Sequence, residues 1–169
     1  MPKVISAAGE PPRARRRTVA AASLFVSEDA LNDMIYHAEA GLIDKKEVMG
    51  LMIGMFYNDG SGTYAEVTGT ATSDLIASST SVRFDGGSLE PLFDSLDEME
   101  ENQSVVGWYH SHPGFGCFMS ETDVRTQDGI FGGGTGFAIV IDPVRMEIKA
   151  FDSTPRAPKE VQMIVMGGG

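Results

Sequence analysis

Apolar residues recur at helical spacing from residue 27 to residue 40, where Ala30, Leu31, Met34, Ile35 and Ala38 share one face. Ser27 is a suitable cap, Glu28 and Asp29 suit the positive end of the helix dipole, and Gly41 is expected to end the helix. Before it, the apolar run at residues 19–26 predicts a first strand. The run VMGLMIGMFY at 48–57 has strand length and is followed by Asn58-Asp59-Gly60, so with residues 63–72 it predicts a hairpin. Leu89, Leu92, Phe93, Leu96 and Met99 predict a second amphipathic helix with an acidic outer face. Strands are expected at 104–110, 137–142 and 146–151, with a third helix opening at residues 120–123. The order is strand, helix, two strands, helix, strand, helix, two strands. It predicts an α/β fold, one mixed β-sheet flanked by helices.

With 169 residues the chain has the length of one domain. Residues 1–23 hold Lys3, Arg13, Arg15, Arg16 and Arg17 against Glu10 alone, and are expected to form a flexible basic N-terminal tail. Residues 24–153 are expected to form the domain, and 154–169 a C-terminal tail with no clear core role. The net charge of −11 is the sum of +4 in residues 1–23 and about −15 in the body, and the acidic body argues against nucleic acid as a ligand and suits a basic protein partner. No stretch approaches transmembrane length, so no membrane partner is expected. The single cysteine, Cys117, cannot form an internal disulfide, which fits a reducing, cytoplasmic location.

The densest chemistry lies in VVGWYHSHPGFGCFMSETDVRTQ, residues 105–127. His110 and His112 alternate at the end of a strand, so both point to one face, and Pro113-Gly114 then breaks the strand. Asp123 returns towards them from the start of the next helix. Two imidazoles and a carboxylate are a ligand set for a catalytic Zn²⁺ with one position left open. Ser120 and Asp123 also have the spacing of a capping box, a role that does not require a metal. Glu47, just before an intensely apolar strand, is either a solvated charge or a carboxylate aimed into a cleft.

The segment EVMGLMIG at 47–54, followed about fifty residues on by VVGWYHSHPGFGC and then Ser120 and Asp123, resembles the JAMM (MPN+) metalloprotease family. The likeness extends over residues 24–152 and is greatest to the deubiquitinase branch of the proteasome lid. The resemblance implies an MPN, cytidine-deaminase-like architecture. It implies that His110, His112 and Asp123 bind Zn²⁺, that Glu47 acts as general base and then proton donor, and that Ser120 stabilises the oxyanion. Residues 79–87 match the family's first insertion, which implies that Ser81, Val82, Arg83 and Phe84 hold the modifier's extended tail by strand addition. The implied activity is removal of ubiquitin or a ubiquitin-like modifier from lysine, with modifier conjugates and the proteasome as partners.

Two other readings remain open: a JAMM peptidase acting on a sulfur-carrier-like protein, and a non-catalytic MPN scaffold. Scaffolds of that kind lose metal ligands, whereas every motif position is filled here. Phe118 and Met119 stand where this branch usually has Trp and Leu, and glycines 132–134 replace a more ordinary helix end. The chain stops before the C-terminal helices by which eukaryotic relatives pair with an inactive partner, so a standalone enzyme, archaeal or otherwise outside a full lid, is expected rather than an embedded lid subunit. Cys117 has no dedicated base, because His37 lies on the first helix, and is expected to pack near the metal.

Overall fold

In a computed structural model of the chain, residues 3–5, 23–58, 60, 62–72, 102–132 and 134–167 are described. Nine strands form one mixed sheet: β1 Lys3–Ile5, β2 Leu24–Ser27, β3 Met49–Asn58, β4 Thr63–Ala71, β5 Ser104–Ser111, β6 Phe137–Asp142, β7 Glu147–Phe151, β8 Glu160–Val161 and β9 Met163–Met166. Their order across the sheet is β1-β9-β2-β4-β3-β5-β6-β7-β8. Among the described residues the helices are α1, Glu28–Ile43, and α2, Glu121–Phe131. The expected α/β architecture is present, and the expected helix around Leu89–Met99 lies outside the described residues.

Helix α1 starts as its sequence dictates, with Ser27 Oγ accepting the Ala30 N–H at 3.1 Å. It ends two residues later than expected, at Ile43. Gly41 is instead a close-approach position: a Cβ there would lie 2.6 Å from Val48 Cγ1 and 2.9 Å from the Lys46 carbonyl oxygen. The buried face of α1 packs Ala30, Leu31, Met34 and Ala38 against Leu24, Val26, Val67, Ile139 and Ile141. A separate cluster, Met49, Leu51, Trp108, Cys117, Ala138 and Val140, meets Ile130 and Phe131 of α2. The sheet is therefore apolar on both faces, as its unbroken apolar runs require.

Strands β3 and β4 form the expected antiparallel hairpin, pairing Asn58 with Thr63. Between β3 and β5 the register slips, because Met52 pairs with Gly107 while Ile53 pairs with Val105. Val106 is thus an extra residue in β5, a β-bulge that re-phases the strand. Val105 and Trp108 consequently face α2, whereas Val106 and Tyr109 face α1. From Trp108 onward the alternation brings His110 to the α2 side.

The reading of residues 154–169 as a tail without a core role needs correction. Met163, Ile164, Val165 and Met166 are all buried, and β9 lies parallel between β2 and β1. Four consecutive apolar residues suit a strand covered on both faces, a pattern with no alternation to reveal it. Lys3–Ile5, within the stretch read as a loose tail, pairs with β9. Among the described residues no helix is long and apolar enough to cross a membrane.

Candidate metal centre

The end of β5 is fastened on both sides. Met49 pairs with His110, and Val140 of β6 pairs with His110 from the other edge. One residue further, Ser111 donates its N–H to the Val48 carbonyl at 3.0 Å and accepts the Val48 N–H on Oγ at 2.9 Å. Glu47 is the next residue along, within electrostatic reach of His112 and Asp123. His112 donates its backbone N–H to the Ile141 carbonyl at 2.8 Å.

Asp123 arrives from the first turn of α2. The capping box is present: Asp123 N–H donates to Ser120 Oγ at 3.1 Å, and Ser120 N–H donates to Asp123 Oδ2 at 2.9 Å. The same Oδ2 lies 3.0 Å from Nε2 of His110 and 3.0 Å from Nε2 of His112. Capping and convergence on the histidines therefore hold together, as the sequence allowed. Gly132, in the left-handed conformation at φ 57°, closes the helix with its N–H on the Asp128 carbonyl.

These groups fit a metal ion. One donor atom from each of His110, His112 and Asp123 lies within 4.8 Å of the others, and all three residues are buried. Both ring nitrogens of His110 are buried without a hydrogen bond, since the contact of Nε2 with Asp123 is close but not aligned as one. A completely buried imidazole without a partner is costly, and an ion at Nε2 would satisfy one of its nitrogens. On His112, Nδ1 lies 3.1 Å from the Gly116 carbonyl oxygen. That oxygen can only accept, so it favours a proton on Nδ1; Nε2 is hydrogen-bonded to Asp123 Oδ2 at 3.0 Å, and with the proton held on Nδ1 its lone pair is available once an ion takes the place of that bond.

Burial lowers the pKa of His110, outweighing the Asp123 carboxylate that raises it. For His112 burial pulls the same way, but Asp123, the Gly116 carbonyl and Glu47 together leave the pKa raised. Burial opposes the Asp123 charge, yet contacts from His110, His112 and the Ser120 N–H hold the carboxyl well below the usual carboxylate range. Glu47 has its pKa raised by partial burial, countered by the nearby His112 and reinforced by the Asp123 charge. A proton-accepting carboxylate with a raised pKa is suited to general base work.

Cys117 is buried with Sγ 3.3 Å from the Val140 carbonyl oxygen, and burial pushes its thiol up to about 11. An inert packing thiol is the result. Phe118, the departure from the family pattern, remains exposed with its ring 4.9 Å from that of His112. Ser81, Val82, Arg83 and Phe84 lie outside the described residues.

Three participants escaped the sequence reading. Trp108 is fully buried, stacks on His110 with centroids 4.2 Å apart, and donates Nε1–H to Gln127 Oε1 at 3.0 Å. Ser111 joins β5 to Val48. Asp142, whose Asp-Pro signal marks only a turn, reaches back to the loop after His112.

The chain matches the family described as JAB1/Mov34/MPN/PAD-1 ubiquitin protease over residues 20–130. It is 37% identical over 124 residues to Ubiquitin carboxyl-terminal hydrolase RPN11 of Saccharomyces cerevisiae, covering 73% of this chain and 39% of that one. It is 35% identical over 136 residues to 26S proteasome non-ATPase regulatory subunit 14 of Drosophila melanogaster, covering 74% and 40%. The chain thus spans about two fifths of the length of the curated relatives it matches. The solution structure of protein DSY2949 from Desulfitobacterium hafniense shares the fold at a TM-score of 0.57 and 18% identity, covering 84% of this chain and 92% of that one. Since the family match takes in more than half of its length, the chain belongs to the JAB1/Mov34/MPN/PAD-1 ubiquitin protease family.

Proposed function

We propose that the chain is a zinc isopeptidase that hydrolyses the bond between the carboxyl end of ubiquitin, or a ubiquitin-like modifier, and a lysine amine. The observation that supports this most is the convergence of two imidazoles and one carboxylate, with Glu47 in their electrostatic reach. The relatives, a ubiquitin carboxyl-terminal hydrolase and 26S proteasome subunits, point to the same class of substrate and to association with the proteasome.

Bound by His110, His112 and Asp123, zinc would supply a Lewis acid and bring the pKa of a water down to about 7. Glu47 takes the water's proton and delivers it to the departing lysine amine. The Ser120 hydroxyl accepts the Asp123 N–H, which leaves its own O–H to donate to the carbonyl oxygen as that oxygen gains charge. Residues 81–84 are proposed to hold the modifier tail in extended form, in line with the family resemblance.

The test pairs metal content with cleavage. Purified protein binds close to one zinc per chain and cleaves a ubiquitin–lysine linkage, and a chelator abolishes cleavage. Glu47→Gln retains zinc and loses cleavage, and Asp123→Ala loses zinc. Equal cleavage by wild type and Glu47→Gln overturns the mechanism, while a zinc-loaded wild type inert towards every modifier supports the scaffold reading.

A further inference from the structure

Asp142 ends β6 with a carboxylate that is wholly buried, and nothing in the proposed chemistry uses it. Its two oxygens have different tasks. Oδ1 accepts the backbone N–H groups of Val144 and Arg145, each at 3.0 Å, and of Gly114 at 2.8 Å. Oδ2 accepts the Gly116 N–H at 2.7 Å, and otherwise meets only the Arg145 side chain at 3.8 Å. Gly114 and Gly116 both have positive φ, 82° and 85°, so the loop leaving His112 follows a path that only glycine takes without strain. Such a loop needs an external anchor. The anchored residue is also the one whose carbonyl receives the His112 ring N–H.

We infer that Asp142 is a positioning residue for the metal centre: by holding Gly116, it keeps His112 in the ring tautomer that leaves Nε2 free to ligate. The inference rests on the metal reading above and extends it to a residue outside the family motif. Burial works against the Asp142 charge, but the four backbone N–H groups keep its pKa lowered, so the anchor is ionised at neutral pH. Charge-assisted hydrogen bonds of this length are the strong kind. The geometry also separates the functions of the two oxygens. In Asp142→Asn the side-chain oxygen can retain the three bonds of Oδ1, while the amide nitrogen faces the Gly116 N–H, donor against donor.

The experiment compares zinc affinity, by chelator competition, in wild type, Asp142→Asn and Arg145→Ala. It adds long-range ¹H–¹⁵N spectra of the His112 ring in zinc-loaded protein. Asp142→Asn is expected to melt cooperatively and bind zinc about tenfold to a hundredfold more weakly, the range for groups that orient metal-bound histidines. Arg145→Ala retains wild-type affinity, and the wild-type ring is protonated on Nδ1. A folded Asp142→Asn with wild-type affinity overturns the inference. If that variant does not fold, the wild-type spectrum decides: a zinc-loaded ring that ligates through Nδ1 overturns it, and one protonated on Nδ1 supports it. Wild-type protein that takes up no zinc sinks the metal reading and this inference with it, whereas equal uptake in wild type and Asp142→Asn sinks this inference alone.

Discussion

Val48 and Ser111 exchange two hydrogen bonds, N–H to Oγ at 2.9 Å and carbonyl to N–H at 3.0 Å, across the gap between β3 and β5. Ser111 is the residue between the two histidines, and Val48 follows Glu47. The pair therefore fixes Glu47 relative to His110 and His112. Ser111→Ala strips the buried Val48 N–H of its acceptor and is expected to cost about 1–3 kcal/mol of stability. Because the ligands are untouched, zinc uptake should persist while kcat falls. Chemical denaturation, zinc content and turnover on one preparation check this, and unchanged kcat would show that Glu47 is positioned by other means.

Trp108 is the chain's single tryptophan and lies flat on His110. Its fluorescence is a direct gauge of the site. Titration of metal-free protein with Co²⁺, whose open d-shell quenches nearby excited indoles, should quench Trp108 and saturate at one equivalent. Quenching that remains unsaturated beyond one equivalent would mean binding elsewhere. His110→Ala should abolish the saturable phase.

Glu47 is held at a raised pKa, with desolvation as the leading cause. A carboxyl whose pKa is higher folded than unfolded binds its proton more tightly in the fold, so its contribution to stability declines as pH rises through that window. The charge is a burden on the metal-free fold at neutral pH. Glu47→Gln is accordingly expected to raise the melting temperature of metal-free protein at pH 7, an advantage that shrinks as the pH falls to 4.5 and below. Thermal melts across that range measure it. A lower melting temperature at pH 7 would contradict a desolvated Glu47.

Asp142 has the opposite sign. Its folded pKa is lowered from 3.8, so its contribution is present above that value and is lost as the pH falls further. Unfolding of metal-free protein followed through acid should be steep for wild type and shallower for Asp142→Asn, with the two converging at the lowest pH. Parallel curves would mean that the buried carboxylate adds no pH-dependent stability.

What could be read from the sequence is what short spacing governs. Ser27 as a cap, the β3–β4 hairpin, and His110, His112 and Asp123 as a group all follow from residues within about a dozen positions of each other. Distant partners left no such trace. The bulge at Val106 arises from pairing with β3, and the anchor at Asp142 from the meeting of β6 with a loop 26 residues earlier. Trp108 and Gln127 bond side chain to side chain, a partnership that no local spacing announces. The run MIVM gives no strand signal of its own because a strand buried on both faces has no alternation to detect.

The place of β9 bears on how the molecule is made. Leu24 of β2 pairs with Met163, so neighbours in the sheet are joined by almost the whole chain, and closing so long a loop slows folding. Until residues 163–166 are available, β2 presents an open, apolar strand edge of the kind that recruits other chains. A protein cut after residue 153, the boundary its sequence suggests, would retain every group of the metal centre and is expected to aggregate. In biosynthesis the same edge stays unpaired until nearly the whole chain has emerged.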